Sequence, residues 1–537
     1  MLTSRRSFVK GSAAAAAVAS APSLLAPSVL KAQPAPAKTI RAVLHGDLQV
    51  FDPIWTTANM TGNHALLIYD TLFGMDENRR PQPQMVDKWG VSDDKKTYTF
   101  NLRAGQKFHD GQDVTSADVV ASIRRWAVRD GTGQHMFRRV ADTPVKDETT
   151  FQIVLKEPYG LVLDAIGKIE TNVPVIMRRK DAETDPNTQV TTKVGSGPFM
   201  FNERETRSGQ RYVYDRNPSY VPRNEPPSGM AGGKLAKVDR VIIENMADQQ
   251  TAIAALRAGE IDFYETPPID LLDQLEGDKN ITLEVLNKGG NVGMCRVNWL
   301  HPPFDRAEAR QAMLHLISQE DILKAVFGNP KYYRACGSLF GCTGQMTSDV
   351  NTGWFKGGQN IAKARELFRQ AGYDGRPVVV LHATNISFMN NAALLIAQWL
   401  KEAGVNAELA ASDWGAVISR RAVKKPVAEG GWNIFITWGS GEGFDNPIGL
   451  AAHTANGEAG WFGWPKDDLH EKLRDEWALA PSIEARKAIA ARLQENAWTY
   501  VPMALLGQWA PPVARRANLT GFVPLPAHVP FWNVEKG

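Results

Sequence analysis

Residues 69–126 constrain the fold more tightly than any other stretch of this chain. They read YDTLFGMDENRRPQPQMVDKWGVSDDKKTYTFNLRAGQKFHDGQDVTSADVVASIRRW. Ser92-Asp93-Asp94 is a cluster of turn formers, and beyond it Thr97, Thr99 and Asn101 alternate with Tyr98, Phe100 and Leu102. That period of two marks a half-buried strand. Gly105 and His109-Asp110-Gly111 add further turns. Thr115 then stands three residues ahead of Asp118, with apolar Val119, Val120 and Ile123 alongside. This is a capping-box start for an amphipathic helix. The stretch therefore reads as short strands and turns closed by one helix.

Elsewhere strands and helices alternate. Residues 40–44 form a strand pattern that runs into the turn Phe51-Asp52-Pro53-Ile54-Trp55, and 149–155 is another strand. Residues 238–244 form a strand followed by a helix from Asp248, which Gly259 stops. In the second half, Ala364, Leu367, Phe368 and Ala371 recur at helical spacing up to Gly372. A strand at 378–381, a helix at 391–403 and a strand at 405–409 follow. A later helix, entered through Pro481-Ser482, carries Ile489, Leu493 and Ala497 on one face. Such alternation implies α/β architecture with helices on the faces of open sheets. At 537 residues the chain exceeds one hydrophobic core, so two or more domains are expected.

The N-terminus stands apart. Ser4-Arg5-Arg6-Ser7-Phe8-Val9-Lys10 matches the twin-arginine export pattern, and an uncharged, alanine-rich segment follows. Pro22, Pro27 and four serines make that segment a poor spanning helix, so it reads as a signal cleaved between Ala32 and Ala37. Four of the 61 basic residues lie there, which leaves 57 against 58 acids. A nearly neutral protein has no global electrostatic reason to bind nucleic acid. Three cysteines remain for an oxidising compartment. Cys336 and Cys342 are near enough to close a small loop as a disulfide, and Cys295 sits in an apolar context as a buried free thiol.

Residues 69–126 closely resemble the family 5 (dipeptide/oligopeptide/nickel) solute-binding proteins of bacterial ABC importers. The phrases that carry the resemblance are YDTLF, the Pro-Gln-Pro run followed by Trp89, the Ser-Asp-Asp turn, LRAGQKFHDG and TSADVVASIRRW. Val194-Gly195-Ser196-Gly197-Pro198-Phe199 is similar to that family's glycine-rich return to its first lobe, and Gly259-Glu260-Ile261-Asp262 to the end of one of its βα units. The resemblance implies a periplasmic binding protein-like α/β fold. Two α/β lobes are joined by a hinge, with an extra strand-rich subdomain in lobe one. On this chain it places the signal at 1–37, lobe one at 38–80, the subdomain at 81–193 and lobe one again at 194–295. Lobe two then spans 296–508, and 509–537 return to lobe one, with crossings near 291–299 and 508–515. It further implies a monomeric periplasmic receptor without cofactor. Such a receptor captures a peptide or peptide-like solute and hands it to permease subunits in the inner membrane, driven by cytoplasmic ATPases.

Hinged lobes bury a solute between the carboxyl ends of their strands, where flat aromatics and a few charges recognise it. Residues 414–464 hold five of the fifteen tryptophans. Trp432, Trp461 and Trp464 read as core, whereas Trp438 follows a strand at 433–437 and opens a glycine-rich loop. Peptide-binding relatives carry a tryptophan, an arginine two helical turns on, then a strand ending in a second tryptophan and an aspartate that grips the α-amine. Trp414, Arg421 (or Arg420) and Trp438 match the first three. Gly441 or Gly443 stands where the aspartate belongs, with Glu442 and Asp445 as the nearest acids. Gly439, Ser440 and Gly441 complete the loop, and Thr57 and Asn59 are expected at the edge of the first lobe. His109-Asp110-Gly111 reads as a turn rather than a metal site. Two other readings stay open: a receptor for an opine-like sugar, haem or metal chelate, and an exported hydrolase. The latter needs a nucleophile with a positioned base, and the chain has neither a Gly-x-Ser-x-Gly elbow nor a His-Glu-x-x-His motif.

Overall fold

The computed structural model describes residues 38–169, 171–480 and 482–537. The expected signal at 1–37, with Arg5 and Arg6, lies outside the described residues, as does Pro481. Among the described residues no helix is long and apolar enough to cross a membrane.

Two large sheets carry the architecture. The first has seven strands in the order Ile281–Glu284, Val513–Arg516, Phe263–Tyr264, Thr39–Val43, Arg240–Glu244, Arg211–Arg216 and Phe199–Phe201. Thr39–Val43 runs parallel to both of its neighbours. Parallel strands need a crossover, and the helix Gln249–Ala258 supplies it between Arg240–Glu244 and Phe263–Tyr264. Asp248 caps that helix by accepting from the Thr251 N–H at 2.7 Å. Gly259 ends it at φ 77°, a left-handed conformation that costs glycine least.

The second sheet has six strands in the order Tyr333–Arg334, Ala504–Trp509, Asn291–Val297, Ile434–Ser440, Val378–Ala383 and Ala407–Ser412. Asn291–Val297 pairs along its whole length with Ile434–Ser440, from Asn291 opposite Ser440 to Val297 opposite Ile434. The strand therefore belongs to the second sheet. The chain changes sheet over residues 285–290, not at 291–299, and the first-lobe segment expected at 194–295 ends earlier by that strand. The return falls at 510–512, between Ala504–Trp509 and Val513–Arg516. The strand expected at 405–409 begins later, at Ala407, because the Val405 N–H closes the preceding helix on the Leu400 carbonyl.

Register shows where the strand ends gather. Val43 and Tyr264, the last residues of their strands, sit beside Glu244 and Ala514, and Val513 lies opposite Glu284. In the second sheet, Asn291 lies between Ser440 and Trp509. Both crossings thus leave from the edges where the carboxyl ends of the central strands gather, so those ends flank one cleft.

A third, antiparallel sheet holds Val86–Val91, Thr97–Leu102, Thr150–Leu155 and Val140–Asp142 in that order. Phe100 stacks on Phe151 in its core, with ring centroids 5.0 Å apart. The helix Ser116–Arg129 covers it and starts at the expected capping box, with Asp118 accepting from the Thr115 N–H at 2.8 Å. The next helix, Gly131–Phe137, meets the second lobe, where His135 Nε2 lies 2.6 Å from Asp475 Oδ1. Thr132 Oγ1 donates to the Ile448 carbonyl.

Candidate functional site

The helix Trp414–Arg420 is capped by Asp413, which accepts from the Ala416 N–H at 2.9 Å. The cap fixes where the two arginines that follow point. Arg420 donates to the carbonyls of Gly430 and Gly431, pinning an exposed turn. Arg421 turns inward and is only 4% exposed. Its guanidinium carbon lies 4.6 Å from the ring of Phe462, 5.5 Å from Trp414, 5.7 Å from Trp461 and 5.8 Å from Phe435. No carboxylate among the described residues pairs with it. Its Nε has no hydrogen-bond partner, and its Nη2 reaches only Thr57 Oγ1 of the first lobe, at 3.4 Å. Burial alone pushes its pKa down from 12.5 to about 10. A buried cation in an aromatic cage, short of an anion and touching the opposite lobe, fits a site for a solute carboxylate.

Trp438 is half-buried on Ile434–Ser440. Its ring meets Phe388 at 6.3 Å and Trp509 at 6.4 Å, both from the second lobe, and His45 of the first lobe at 6.4 Å. Gly293, its cross-strand partner, makes this packing possible, since a Cβ there would sit 2.5 Å from Phe388. The loop after Trp438 departs from the sequence-based picture. Ser440 caps the short helix Gly441–Phe444 by accepting from the Gly443 N–H. Gly439 packs against Phe444, and Gly441 lies tight against the Gly289 carbonyl. Asp445 accepts from the N–H groups of Gln345 and Met346 at 2.9 and 2.6 Å and from Arg79 Nη1 at 2.9 Å. Its carboxylate is consumed in holding its own lobe's loop to Arg79, so it is not available to a solute ammonium. Glu442 faces Gly289 and lies 3.7 Å from Arg79, with Oε2 buried and unpartnered; burial raises its pKa. Glu442 therefore faces the crossing at Gly289, Asp445 faces the loop at 344–346, and both lie against Arg79.

Thr57 joins Arg421, and Asn59 opens the helix Asn59–Ile68. The turn before them is locked by Asp52, buried and ion-paired with Arg125 at 2.7 Å. Of the three tryptophans read as core, Trp432 and Trp464 are buried, while Trp461 helps to enclose Arg421. Cys336 and Cys342 form a disulfide with a Cα–Cα separation of 5.9 Å. Cys295 is a buried free thiol whose pKa burial pushes to about 12.

Sequence reasoning passed over two residues of the first lobe. His45 lies two residues beyond Thr39–Val43, and Glu265 directly follows Phe263–Tyr264. Glu265 Oε2 accepts from both the backbone N–H and Nδ1 of His45, each at 2.8 Å. The available signal was positional: both residues follow the carboxyl ends of adjacent parallel strands.

Residues 80–461 match the family of bacterial extracellular solute-binding proteins, family 5. A probable peptide ABC transporter periplasmic-binding protein, y4tO, of Sinorhizobium fredii is 50% identical over 541 residues, covering all of both chains. The glutathione-binding protein GsiB of Salmonella paratyphi A is 25% identical over 525 residues, 91% of this chain and 93% of its own. Among solved structures, AgaA of Agrobacterium tumefaciens R10 with agropinic acid superposes with a TM-score of 0.76 at 21% identity, covering 93% of this chain and 99% of its own. DppA of Helicobacter pylori with the peptide STSA gives 0.75 at 20% identity, covering 93% and 98%. A match across most of the chain, a full-length relative sharing half its residues, and two sheets that turn their carboxyl ends to one cleft converge on one conclusion: this chain belongs to the family 5 bacterial extracellular solute-binding proteins.

Proposed function

We propose that this chain is the periplasmic receptor of an ABC importer for a peptide or peptide-like solute. It is exported by the twin-arginine route through Arg5 and Arg6, its signal is cleaved, and it acts as a monomer. The solute enters between the lobes, which close over it, and the closed form docks on permease subunits whose cytoplasmic ATPases drive transport. The chain makes and breaks no bond; its work is to shift its own population toward the closed form. One observation carries the reading: Arg421, buried among four aromatic rings, lacks an acid and touches Thr57 across the lobes. A terminal carboxylate supplies the missing anion, and Trp438 and Trp414 supply flat surface for the adjoining groups. The name of the half-identical relative supports a peptide.

Native mass spectrometry of protein purified from its own periplasm should reveal a retained acidic solute. A thermal-shift panel of di- to pentapeptides should find compounds that raise the melting temperature, and Trp438→Ala should lose that rise while keeping the fold. Steady hydrolysis of the bound peptide, or no shift with any peptide, would refute the reading.

A further inference from the structure

We infer that Arg79 is a closing latch: a side chain of the first lobe that pairs with two acids of the second lobe only when the cleft is shut, and so sets how long a captured solute stays. The inference rests on the receptor reading above and names a residue that controls release from outside the aromatic cage of Arg421.

The first lobe presents Arg79 from a fixed mount. It stands in the turn of the hairpin formed by Phe73–Met75 and Pro81–Pro83. Asp76 shapes that turn, accepting from the N–H groups of Asn78 and Arg80 at 2.8 and 2.9 Å and from Gln82 Nε2 at 3.0 Å. The Met230 N–H donates to the Met75 carbonyl and the Ser228 hydroxyl accepts from the Glu77 N–H, so the hairpin is held to its own lobe. Arg79 itself lies at φ 60°, a left-handed conformation that disfavours a residue with a Cβ and that the bonded turn enforces.

The second lobe carries the matching socket. Asp445 is 8% exposed and aimed by the N–H groups of Gln345 and Met346, and its Oδ2 meets Arg79 Nη1 at 2.9 Å. Gly344 leaves room for that carboxylate, against which a Cβ would clash. The segment is also tied to the hinge. Cys342, bridged to Cys336, donates its N–H to Gln508 Oε1 at 2.9 Å, and Gln508 Nε2 donates to Thr343 Oγ1 at 2.9 Å and to the Gly289 carbonyl at 2.6 Å. Glu442, three residues before Asp445, lies 3.7 Å from Arg79 Nη2 with its other oxygen buried and unpartnered. Burial raises the pKa of Glu442 and Asp445 adds to the rise, whereas Arg79 works against both. Two carboxylates thus lose water as the lobes shut, and one cation answers them. The Arg79 side chain keeps 42% of its surface exposed, so the pairing is weak enough to release on opening.

Stopped-flow kinetics of Ala-Ala-Ala on the full exported protein, followed by tryptophan fluorescence, and X-ray scattering of the ligand-free form test this in Arg79→Gln. The peptide should leave about fivefold faster than from the unaltered protein, the worth of one partly exposed ion pair. Its association rate should stay the same, because the pair forms after the solute has entered. The ligand-free variant should keep its melting temperature and show a larger mean radius of gyration. Arg79→Lys should recover part of the slow release, since it keeps the charge and loses the planar fork. With Glu442→Gln already in place, Arg79→Gln should cost less, as one of its two acids is gone. Release as slow from Arg79→Gln as from the unaltered protein overturns the inference and leaves the receptor reading intact. Faster release with a lower melting temperature and an unchanged radius of gyration also overturns it, and makes Arg79 a support of its own hairpin. If the unaltered protein takes no Ala-Ala-Ala, the choice of peptide fails and scattering decides alone: a larger radius in Arg79→Gln upholds the latch, and an equal one overturns it.

Discussion

Replacing Arg421 with methionine separates recognition from stability more cleanly than any other change. Burial lowers the pKa of this guanidinium from 12.5 to about 10, so keeping it charged in the empty cleft costs about 3 kcal/mol at roughly 1.4 kcal/mol per unit. Four aromatic rings between 4.6 and 5.8 Å return about 0.5–1 kcal/mol each, or about 2–4 kcal/mol together. The two contributions nearly cancel. Methionine fills similar volume without charge, so the free protein should keep its stability to within about 1 kcal/mol. Binding should respond very differently. A solute carboxylate left without its buried partner loses about 2–5 kcal/mol, a drop in affinity of roughly thirtyfold or more. Differential scanning fluorimetry with and without a bound peptide reads both quantities in one experiment. The expected signature is an unchanged melting temperature for the free protein and loss of the ligand-induced rise. A large fall in free-protein stability with the rise intact would mean that Arg421 is a structural knot, and the reasoning would fail.

Two further perturbations probe the frame around the cleft. Breaking the Cys336–Cys342 bridge by paired serine substitution releases a loop of sequence separation 6 and should lower stability by about 2 kcal/mol, read as a shift in the denaturation midpoint. A midpoint that does not move would show that the loop stays ordered without the bridge. Asp475→Asn removes the carboxylate that joins His135 at 2.6 Å and Arg138 at 3.3 Å across the lobes. Because that carboxylate is 43% exposed, solvent screening limits its worth to about 1 kcal/mol. Solute affinity should therefore weaken severalfold, and X-ray scattering should show a larger mean radius of gyration without solute. An unaltered profile together with unaltered affinity would count against a role in closure.

What could be read from the chain alone is what neighbours in sequence decide among themselves. The strand at 97–102, the capping box of Thr115 and Asp118, the cap at Asp248 and the stop at Gly259 each depend on residues a few positions apart, and the structure contains them all. The strand that carries Trp438 is legible for the same reason, although it runs on through Trp438 to Ser440 instead of ending at 437, and the arginine after Trp414 is placed by the family resemblance. Long-range partnership is not written in such patterns. Arg420 and Arg421 are adjacent and chemically identical, yet one pins a turn and the other is enclosed by Phe435, Trp461 and Phe462, because helix rotation decides which meets the aromatic wall. Asp445 looked like a solute ligand until Arg79, 366 residues away in sequence, and two backbone N–H groups claimed it. His45 and Glu265, separated by 220 positions, become partners only because strand order sets Thr39–Val43 beside Phe263–Tyr264. Hydrophobic period and capping act through the local backbone, so sequence determines them. The charges that face one cleft are assigned by sheet topology, which exists only once the chain has folded.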